Sequence, residues 1–148
     1  MIQRIQSVYM LVATILGTMC LCMPVGRLTM ADGLGTLTNL RLTLTTGEST
    51  NSPWALFAIL LFATVLNLIT IFAYRNRTWQ MRTLVVAILF MIGYYAFFVF
   101  YVWVTANGLN FRPTLASSFP LIMIVLDYMA FRRVLKDEML VRSLDRLR

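Results

Sequence analysis

Four long apolar stretches, separated by polar connections, dominate this chain. They cover residues 5–25, 53–74, 83–106 and 114–131. At a helical rise of about 1.5 Å per residue, a run of about 20 residues spans the roughly 30 Å hydrocarbon core of a bilayer. The pattern therefore predicts an all-α membrane protein whose single domain, residues 1–148, is a bundle of four transmembrane helices.

The borders of the first two stretches carry helix signals. Arg4 precedes the first run, which exceeds the roughly 7–15 apolar residues of a signal peptide and is not followed by a small-residue cleavage site. We therefore predict an uncleaved helix. At the second run, Ser52 suits a helix cap, Pro53 a first turn and Trp54 a membrane interface.

The fourth stretch is shorter and contains Pro120. Because proline removes a backbone donor and crowds the carbonyl four residues before it, we expect a bend near Ala116 and Ser117. Residues 132–148 contain neither Gly nor Pro. We therefore expect the fourth helix to continue out of the membrane as a cytoplasmic extension.

The apolar positions of this extension leave two interpretations open. Leu140, Val141, Leu144 and Leu147 have the spacing of one helix face. The face could lie on anionic lipid headgroups, which attract each arginine by about 1 kcal/mol. Alternatively, it could dock onto a cytoplasmic partner.

The connection at residues 27–52 has the period of a β-strand. Leu40, Leu42 and Leu44 alternate with polar residues, the segment 28–30 alternates in the same way, and Gly33 follows an aspartate in a turn dipeptide. The pattern predicts a small extracytoplasmic β-hairpin between the first and second helices. Because an isolated hairpin is marginally stable, its leucine face should rest on the bundle.

The charges predict an orientation. The chain carries 13 basic and 6 acidic residues, is 59% hydrophobic and has a mean hydropathy of +0.76. The N-terminal segment, the 75–82 connection and the C-terminal segment carry one, three and six basic residues, whereas the other two connections carry three in total. The positive-inside rule then predicts that both termini lie in the cytoplasm. Because the basic residues flank apolar runs, we expect contact with the bilayer and its anionic headgroups and no nucleic-acid partner.

Residue types also limit the chemistry. The chain has no histidine, and its two cysteines, Cys20 and Cys22, point to different faces of a helix. We therefore expect no intrachain disulfide, no cofactor, no metal site and no enzymatic activity. Met19, Cys22 and Met23 share a face that could hold copper(I), although methionine is also an ordinary packing residue.

Polar side chains within the stretches are the candidate functional residues. Asp127 is the only acidic residue inside a predicted span, and we expect it to pair with Arg4, Arg75 or Arg82 or to handle a proton or ion. The second span carries a polar stripe with three-residue spacing, formed by Thr64, Asn67 and Thr70. Such residues usually form hydrogen bonds between helices, and a substrate path is the alternative.

An aromatic stripe follows the third span, at Phe90, Tyr94, Phe97 and Tyr101. The same four residues could pack in the core or line a groove for a quinone or a lipid. Packing is the commoner role of such a stripe in a membrane helix.

Both ends of the chain resemble the DUF4293 family. The likeness rests on MIQRIQSVY at residues 1–9 and KDEMLVRSLDRLR at residues 136–148. The resemblance implies a small four-helix membrane protein of the Bacteroidota and no assigned activity. It also implies a cytoplasmic contact between the two ends, with the candidates Gln3, Arg4, Gln6, Arg142, Asp145 and Arg146.

Two functions follow from these observations. The first is a non-enzymatic subunit or scaffold of a membrane complex, joined to another membrane protein or to further copies of itself. The alternative is a small transporter or channel that uses Asp127 and the polar stripe of the second span.

Overall fold

Four helices make up most of the protein. The computed structural model describes the backbone of residues 3–30, 33–44, 49–50, 53–73, 76–106 and 110–145, and the side chains of residues 5–29, 34–44, 53–73, 76–105 and 110–141. The helices are α1 (Gln3–Cys22), α2 (Trp54–Phe72), α3 (Arg77–Ala106) and α4 (Phe119–Asp145), and a 3₁₀ turn (Leu115–Ser118) precedes α4. All four are long and apolar enough to cross a membrane, as predicted.

The helices form a ring in chain order. α1 packs against α2 and α4, and α3 also packs against α2 and α4, so that α2 and α4 lie on opposite sides. The buried residues at mid-height include two alanines, Ala13 on α1 and Ala63 on α2, beside Met91 and Met123. Small residues allow helix backbones to approach closely.

Gly17 marks the closest approach of α1 to its neighbours. A Cβ atom added there would lie 2.5 Å from Thr64 Oγ1 and 2.8 Å from Met123 Cε. Both distances are below van der Waals contact, so any larger residue would push α1 away from α2 and α4. The glycine is therefore required by packing at this position.

The first helix ends earlier than the predicted limit at residue 25. Its last helical hydrogen bond runs from the Met23 N–H to the Met19 carbonyl at 3.0 Å. Pro24 has no N–H to continue the series, and it begins a β-strand instead. The Cys20 carbonyl, which Pro24 leaves without a helical donor, accepts a hydrogen bond from Asn39 Nδ2 at 2.6 Å.

The fourth helix starts later than predicted and does not bend around Pro120. The 3₁₀ turn covers the residues where a bend was expected, and Pro120 is the second residue of α4. A first turn accommodates proline because its N–H groups have no acceptor within the helix. α4 then continues to Asp145, which agrees with the predicted extension.

Tyr95 completes the junction between the 3₁₀ turn and α4. Its hydroxyl donates to the Ser117 carbonyl at 2.7 Å and accepts from the Leu121 N–H at 3.0 Å. These two backbone groups are four residues apart and would pair directly in a regular helix. The hydroxyl from α3 therefore replaces one helical hydrogen bond of α4.

The predicted hairpin is part of a larger antiparallel sheet. Its five strands are β1 (Pro24–Met30), β2 (Gly33–Thr38), β3 (Leu42–Leu44), β4 (Ser49–Thr50) and β5 (Asn110–Pro113), in the order β4-β3-β2-β1-β5. β1 pairs with β2 through a register that sets Met30 opposite Gly33. The leucine alternation beginning at Leu40 was expected to supply one strand, yet Leu40 lies in a bend and only Leu42–Leu44 pairs.

The inner face of the sheet covers one end of the bundle. Val25, Leu37 and Leu42 are buried in the same cluster as Leu56 of α2 and Tyr94 of α3. Along the edge of β1 that pairs with β5, Gly26 leaves room for the Phe111 ring. A Cβ atom at Gly26 would overlap that ring. The sheet is therefore fixed to the helices by its apolar face.

We predict that Gly17→Ala destabilises the bundle, because its methyl group would overlap Thr64 and Met123. The expected loss is a Tm lower by about 5 °C in thermal unfolding of the detergent-solubilised protein. Gly93→Ala is the control, since a Cβ there meets nothing within 4 Å. Alanine also favours a helix by about 1 kcal/mol over glycine, so this control should keep or raise the Tm. Equal losses in both variants would contradict the packing role of Gly17.

Candidate functional site

The centre of the bundle holds a hydrogen-bonded pair of an amide and a carboxyl group. Asn67 on α2 donates from Nδ2 to Asp127 Oδ2 on α4 at 3.0 Å. Both side chains are fully buried, at 0% exposure. Because α2 and α4 lie on opposite sides of the ring, this bond crosses the bundle. The structure thus brings together two residues that the sequence named separately.

The partner of Asp127 that the structure describes is an amide. Its hydrogen bond is to Asn67, while Arg82 is exposed on α3. The side chains of Arg4 and Arg75 lie outside the described ranges. Asp127 lies about two turns from the start of α4 at Phe119. At this depth an amide is the available partner.

One oxygen of each group in this pair has no partner. Asp127 Oδ1 and Asn67 Oδ1 are buried and form no hydrogen bond. A buried polar atom left unpaired costs about 1–3 kcal/mol, and more if it is charged. Ionisable residues inside an apolar bundle are functional candidates for this reason.

The two threonines of the predicted stripe are buried beside Asn67 but have different partners. Thr64 Oγ1 donates to the Leu60 carbonyl of its own helix at 2.7 Å. Thr70 Oγ1 lies 2.6 Å from the Leu66 carbonyl and 2.9 Å from Thr83 Oγ1. Thr70 therefore links α2 to α3, whereas Thr64 satisfies its hydroxyl locally and packs against α1.

Buried polar groups continue from the central pair toward the end of the bundle where α1 begins. Gln80 Nε2 donates to Met10 Sδ at 3.6 Å, and Gln6 Nε2 donates to Asp137 Oδ2 at 2.7 Å. The set, which we call the polar track, comprises Asn67, Asp127, Thr70, Thr83, Gln80 and Gln6. Together with Thr64 and Asn39, these are the buried polar and charged side chains of the described ranges.

The predicted contact between the two ends of the chain is present at Gln6. Its partner Asp137 also offers its carbonyl to Arg77 Nη1 at 3.4 Å, so that α1, α3 and α4 meet there. Gln3 and Arg4 belong to α1, and Arg142 and Asp145 belong to α4, but their side chains lie outside the described residues, as does all of Arg146. Asp137 and Gln80 were not predicted, although helical spacing places Gln80 and Thr83 on one face of α3.

A second polar cluster lies beneath the sheet, at the opposite end. Tyr94 Oη donates to Asn39 Oδ1 at 2.7 Å, and Asn39 Nδ2 donates to the Cys20 carbonyl. The Cys20 thiol donates to the Ala116 carbonyl at 3.3 Å. We call Cys20, Asn39 and Tyr94 the outer cluster. No sequence signal marks Asn39, because its partners are distant in the chain.

Two other sequence hypotheses concern the face of Met19, Cys22 and Met23 and the aromatic stripe of α3. Cys20 is buried in the outer cluster, whereas Cys22 is exposed. Met19 and Met23 are also exposed. In the aromatic stripe, Tyr94 is fully buried while Phe90 is partly exposed, with its ring centroid 6.3 Å from that of Phe62. The stripe is therefore divided between core and surface and does not line one groove.

Comparison with known families agrees with the resemblance at the two ends. Residues 2–147 match the family model described as "Domain of unknown function (DUF4293)". The match extends over nearly the whole chain, including all four helices. No curated protein matches the sequence.

We predict that Asn39→Ala destabilises the protein, because it leaves the Cys20 carbonyl and the Tyr94 hydroxyl buried without their present partner. With a cost of about 1–3 kcal/mol per unpaired group, the Tm should fall by about 5 °C or more. Asn110→Ala is the control, since Asn110 is exposed on β5 at the same end. Similar Tm values for the two variants in detergent would show that the hydrogen bonds of the outer cluster do not stabilise the protein.

Proposed function

We propose that this chain, which belongs to the DUF4293 family, is a multi-pass protein of the bacterial inner membrane that acts as a subunit or scaffold without catalytic activity. All four helices cross the bilayer in this proposal. The sheet lies outside, and both termini lie in the cytoplasm. Large apolar side chains exposed along every helix support a lipid-facing surface.

Exposed aromatic side chains support the position of the bilayer. Trp54 and Trp103 are exposed near the sheet, and Phe72 and Trp79 are exposed toward the other end. Aromatic residues, tryptophan and tyrosine above all, are enriched at the two membrane interfaces. Along α2, Trp54 and Phe72 are about 27 Å apart at the helical rise, which is close to the roughly 30 Å thickness of the hydrocarbon core.

The basic side chains support the orientation. Arg132, Arg133 and Lys136 are exposed on α4 beyond the central pair and, with Met129, line a pocket of about 260 Å³. Anionic headgroups of the cytoplasmic leaflet attract such residues. We therefore expect lipid phosphates to occupy this surface when the protein lies in its membrane.

The observation that carries the scaffold proposal is the apolar surface of α4 beyond this basic region. Met139 and Val141 are 59% and 42% exposed. They lie roughly 7–10 Å past Val134, which is among the buried core residues, at the helical rise. In the proposed orientation this surface lies beyond the hydrocarbon, where another protein would cover it more effectively than lipid tails.

The orientation is testable by cysteine accessibility in a Cys22→Ser background. Thr29→Cys, on the exposed face of β1, should react with a membrane-impermeant maleimide on spheroplasts. Met139→Cys should react only after the membrane is permeabilised. The parent, whose remaining Cys20 is buried, is the unlabelled control. Labelling of Met139→Cys in sealed spheroplasts would refute the proposed orientation.

The scaffold role is testable by purification in mild detergent after crosslinking in native membranes. A stoichiometric partner, or a second copy of the chain, should accompany the parent and be lost in the double variant Met139→Gln, Val141→Gln. Leu115→Gln is the matched control, because Leu115 is an exposed apolar residue at the other end. Recovery of the parent only as a single chain would argue against this role.

A small transporter or channel is the second candidate, and the polar track favours it. The track leads from the Asn67–Asp127 pair to Gln6 at the end of the bundle. Buried polar side chains of this kind mark ion and proton pathways in membrane proteins. The unpaired oxygens of Asn67 and Asp127, at the end of the track that lies in the bundle centre, offer a position where an ion or a proton could bind.

Flux measurements test this candidate directly. Proteoliposomes with the parent should carry protons or potassium ions faster than empty vesicles, and Asp127→Asn should return the flux to the empty-vesicle level. Glu138→Gln, which removes a carboxylate outside the central pair, should leave the flux unchanged. Equal flux for the parent and Asp127→Asn would remove the support for transport.

A further inference from the structure

The central pair has more acceptors than donors. An ionised carboxylate accepts hydrogen bonds only, whereas a carboxamide has two donor hydrogens and one acceptor oxygen. One Asn67 hydrogen serves Asp127 Oδ2. Asp127 Oδ1 and Asn67 Oδ1 both lack a donor and are sealed from solvent.

The surrounding helices do not supply that donor. The hydrophobic cluster at mid-height, Ala13, Ala63, Met91 and Met123, has one residue from each helix and offers no side-chain donor. The nearby buried hydroxyls have acceptors on their own helices: Thr64 at Leu60, Thr70 at Leu66 and Thr83 at Trp79 and Gln80.

A compensating positive charge is also missing among the described residues. Asp127 is the one buried side chain of acidic or basic type in the described ranges. The basic side chains that the structure describes on α3 and α4 are Arg77, Arg82, Arg132, Arg133 and Lys136. Four of them are exposed, and the half-buried Arg77 donates to the Asp137 carbonyl. An isolated carboxylate in an apolar interior is so unfavourable that it takes up a proton instead.

We propose that Asp127 holds a proton in the folded protein and forms a reciprocal acid–amide pair with Asn67. Asn67 Nδ2 donates to Asp127 Oδ2, and the carboxylic acid O–H at Oδ1 donates to Asn67 Oδ1. The proton is taken from a hydronium ion of the aqueous phase as the chain folds, so that one hydronium O–H bond breaks, one carboxyl O–H bond forms, a water molecule is released and the carboxylate charge is cancelled. One proton therefore supplies the missing donor and removes the buried charge together.

Either orientation of the Asn67 amide leaves the pair one donor short. Amide oxygen and nitrogen are assigned from the hydrogen-bond network. If the Asn67 amide were turned over, its oxygen would face Asp127 Oδ2 at the same 3.0 Å. Two acceptors at that distance would also require a proton between them. Either orientation thus leads to a protonated Asp127.

This inference makes the central pair a proton-binding site, and it rests on the proposed membrane location but not on transport. A monovalent cation such as sodium could also bind two oxygens and would compete for the same position. The cysteine-labelling and flux experiments test location and transport separately. A failure of either would therefore be distinguishable from a failure of this inference.

Infrared spectroscopy of the parent in lipid vesicles at neutral pH tests the proton directly. The parent should show a carboxylic-acid C=O band that shifts in D₂O and disappears in Asp127→Asn. Asp137→Asn is the matched control: it removes another carboxyl of α4, which is only half-buried, and should leave the band in place. Loss of a carboxylate band in Asp127→Asn, with no acid band in the parent, would overturn the proposal.

Thermal unfolding gives a second, independent test. Asp127→Asn should keep the Tm within about 2 °C of the parent, because its N–H₂ group replaces the acid O–H as donor to Asn67. Asp127→Leu should lower the Tm by about 5 °C or more, because the Asn67 amide then loses both hydrogen bonds. Equal losses in the two variants would contradict a protonated acid. A Tm of the parent that rises with sodium chloride and not with choline chloride would assign the site to a cation instead.

Discussion

The structure depends on one constraint: in apolar surroundings, polar backbone groups must find partners within the protein. Two helix ends next to prolines show this constraint: α1 ends before Pro24, and α4 has Pro120 in its first turn. Asn39 serves the Cys20 carbonyl released by Pro24. Tyr95 bridges the backbone groups of Ser117 and Leu121 beside Pro120. Residues distant in sequence are thereby fixed to the helix ends, and this is why the sheet and α4 have defined positions on the bundle.

Close packing at mid-height gives the central pair its isolation. Gly17 and the two alanines beside it let α1 approach α2 and α4 without leaving space for further polar groups. The same packing removes water from Asn67 and Asp127, so their electrostatics depend on each other. A bundle with larger residues at these positions would be looser, and a hydrated carboxylate would then need no special partner. The small residues at mid-height therefore keep water away from the Asp127 carboxyl group.

The sequence predicted the elements whose signals are local. Apolar runs of about 20 residues predicted the four helices, and the isolated acid and amide at Asp127 and Asn67 predicted a buried polar site. The five-stranded order of the sheet was not predictable in this way, because β5 pairs with β1 across more than 80 residues. The Asn67–Asp127 hydrogen bond was not predicted for a related reason: the two residues are 60 positions apart in the sequence, and only the packing of α2 and α4 brings them together.

The two ends of the bundle differ in how far buried polar side chains extend from the Asn67–Asp127 pair. Toward the sheet, Leu56, Leu60 and the Tyr94–Phe98 stack fill the interior, and the polar atoms of the outer cluster are bonded to one another. Toward the other end, buried polar side chains continue as far as Gln6. The polar track therefore leads from Asp127 toward the end of the bundle that carries most of the basic residues. In the proposed orientation this end faces the cytoplasm, and we expect Asp127 to exchange its proton with that compartment.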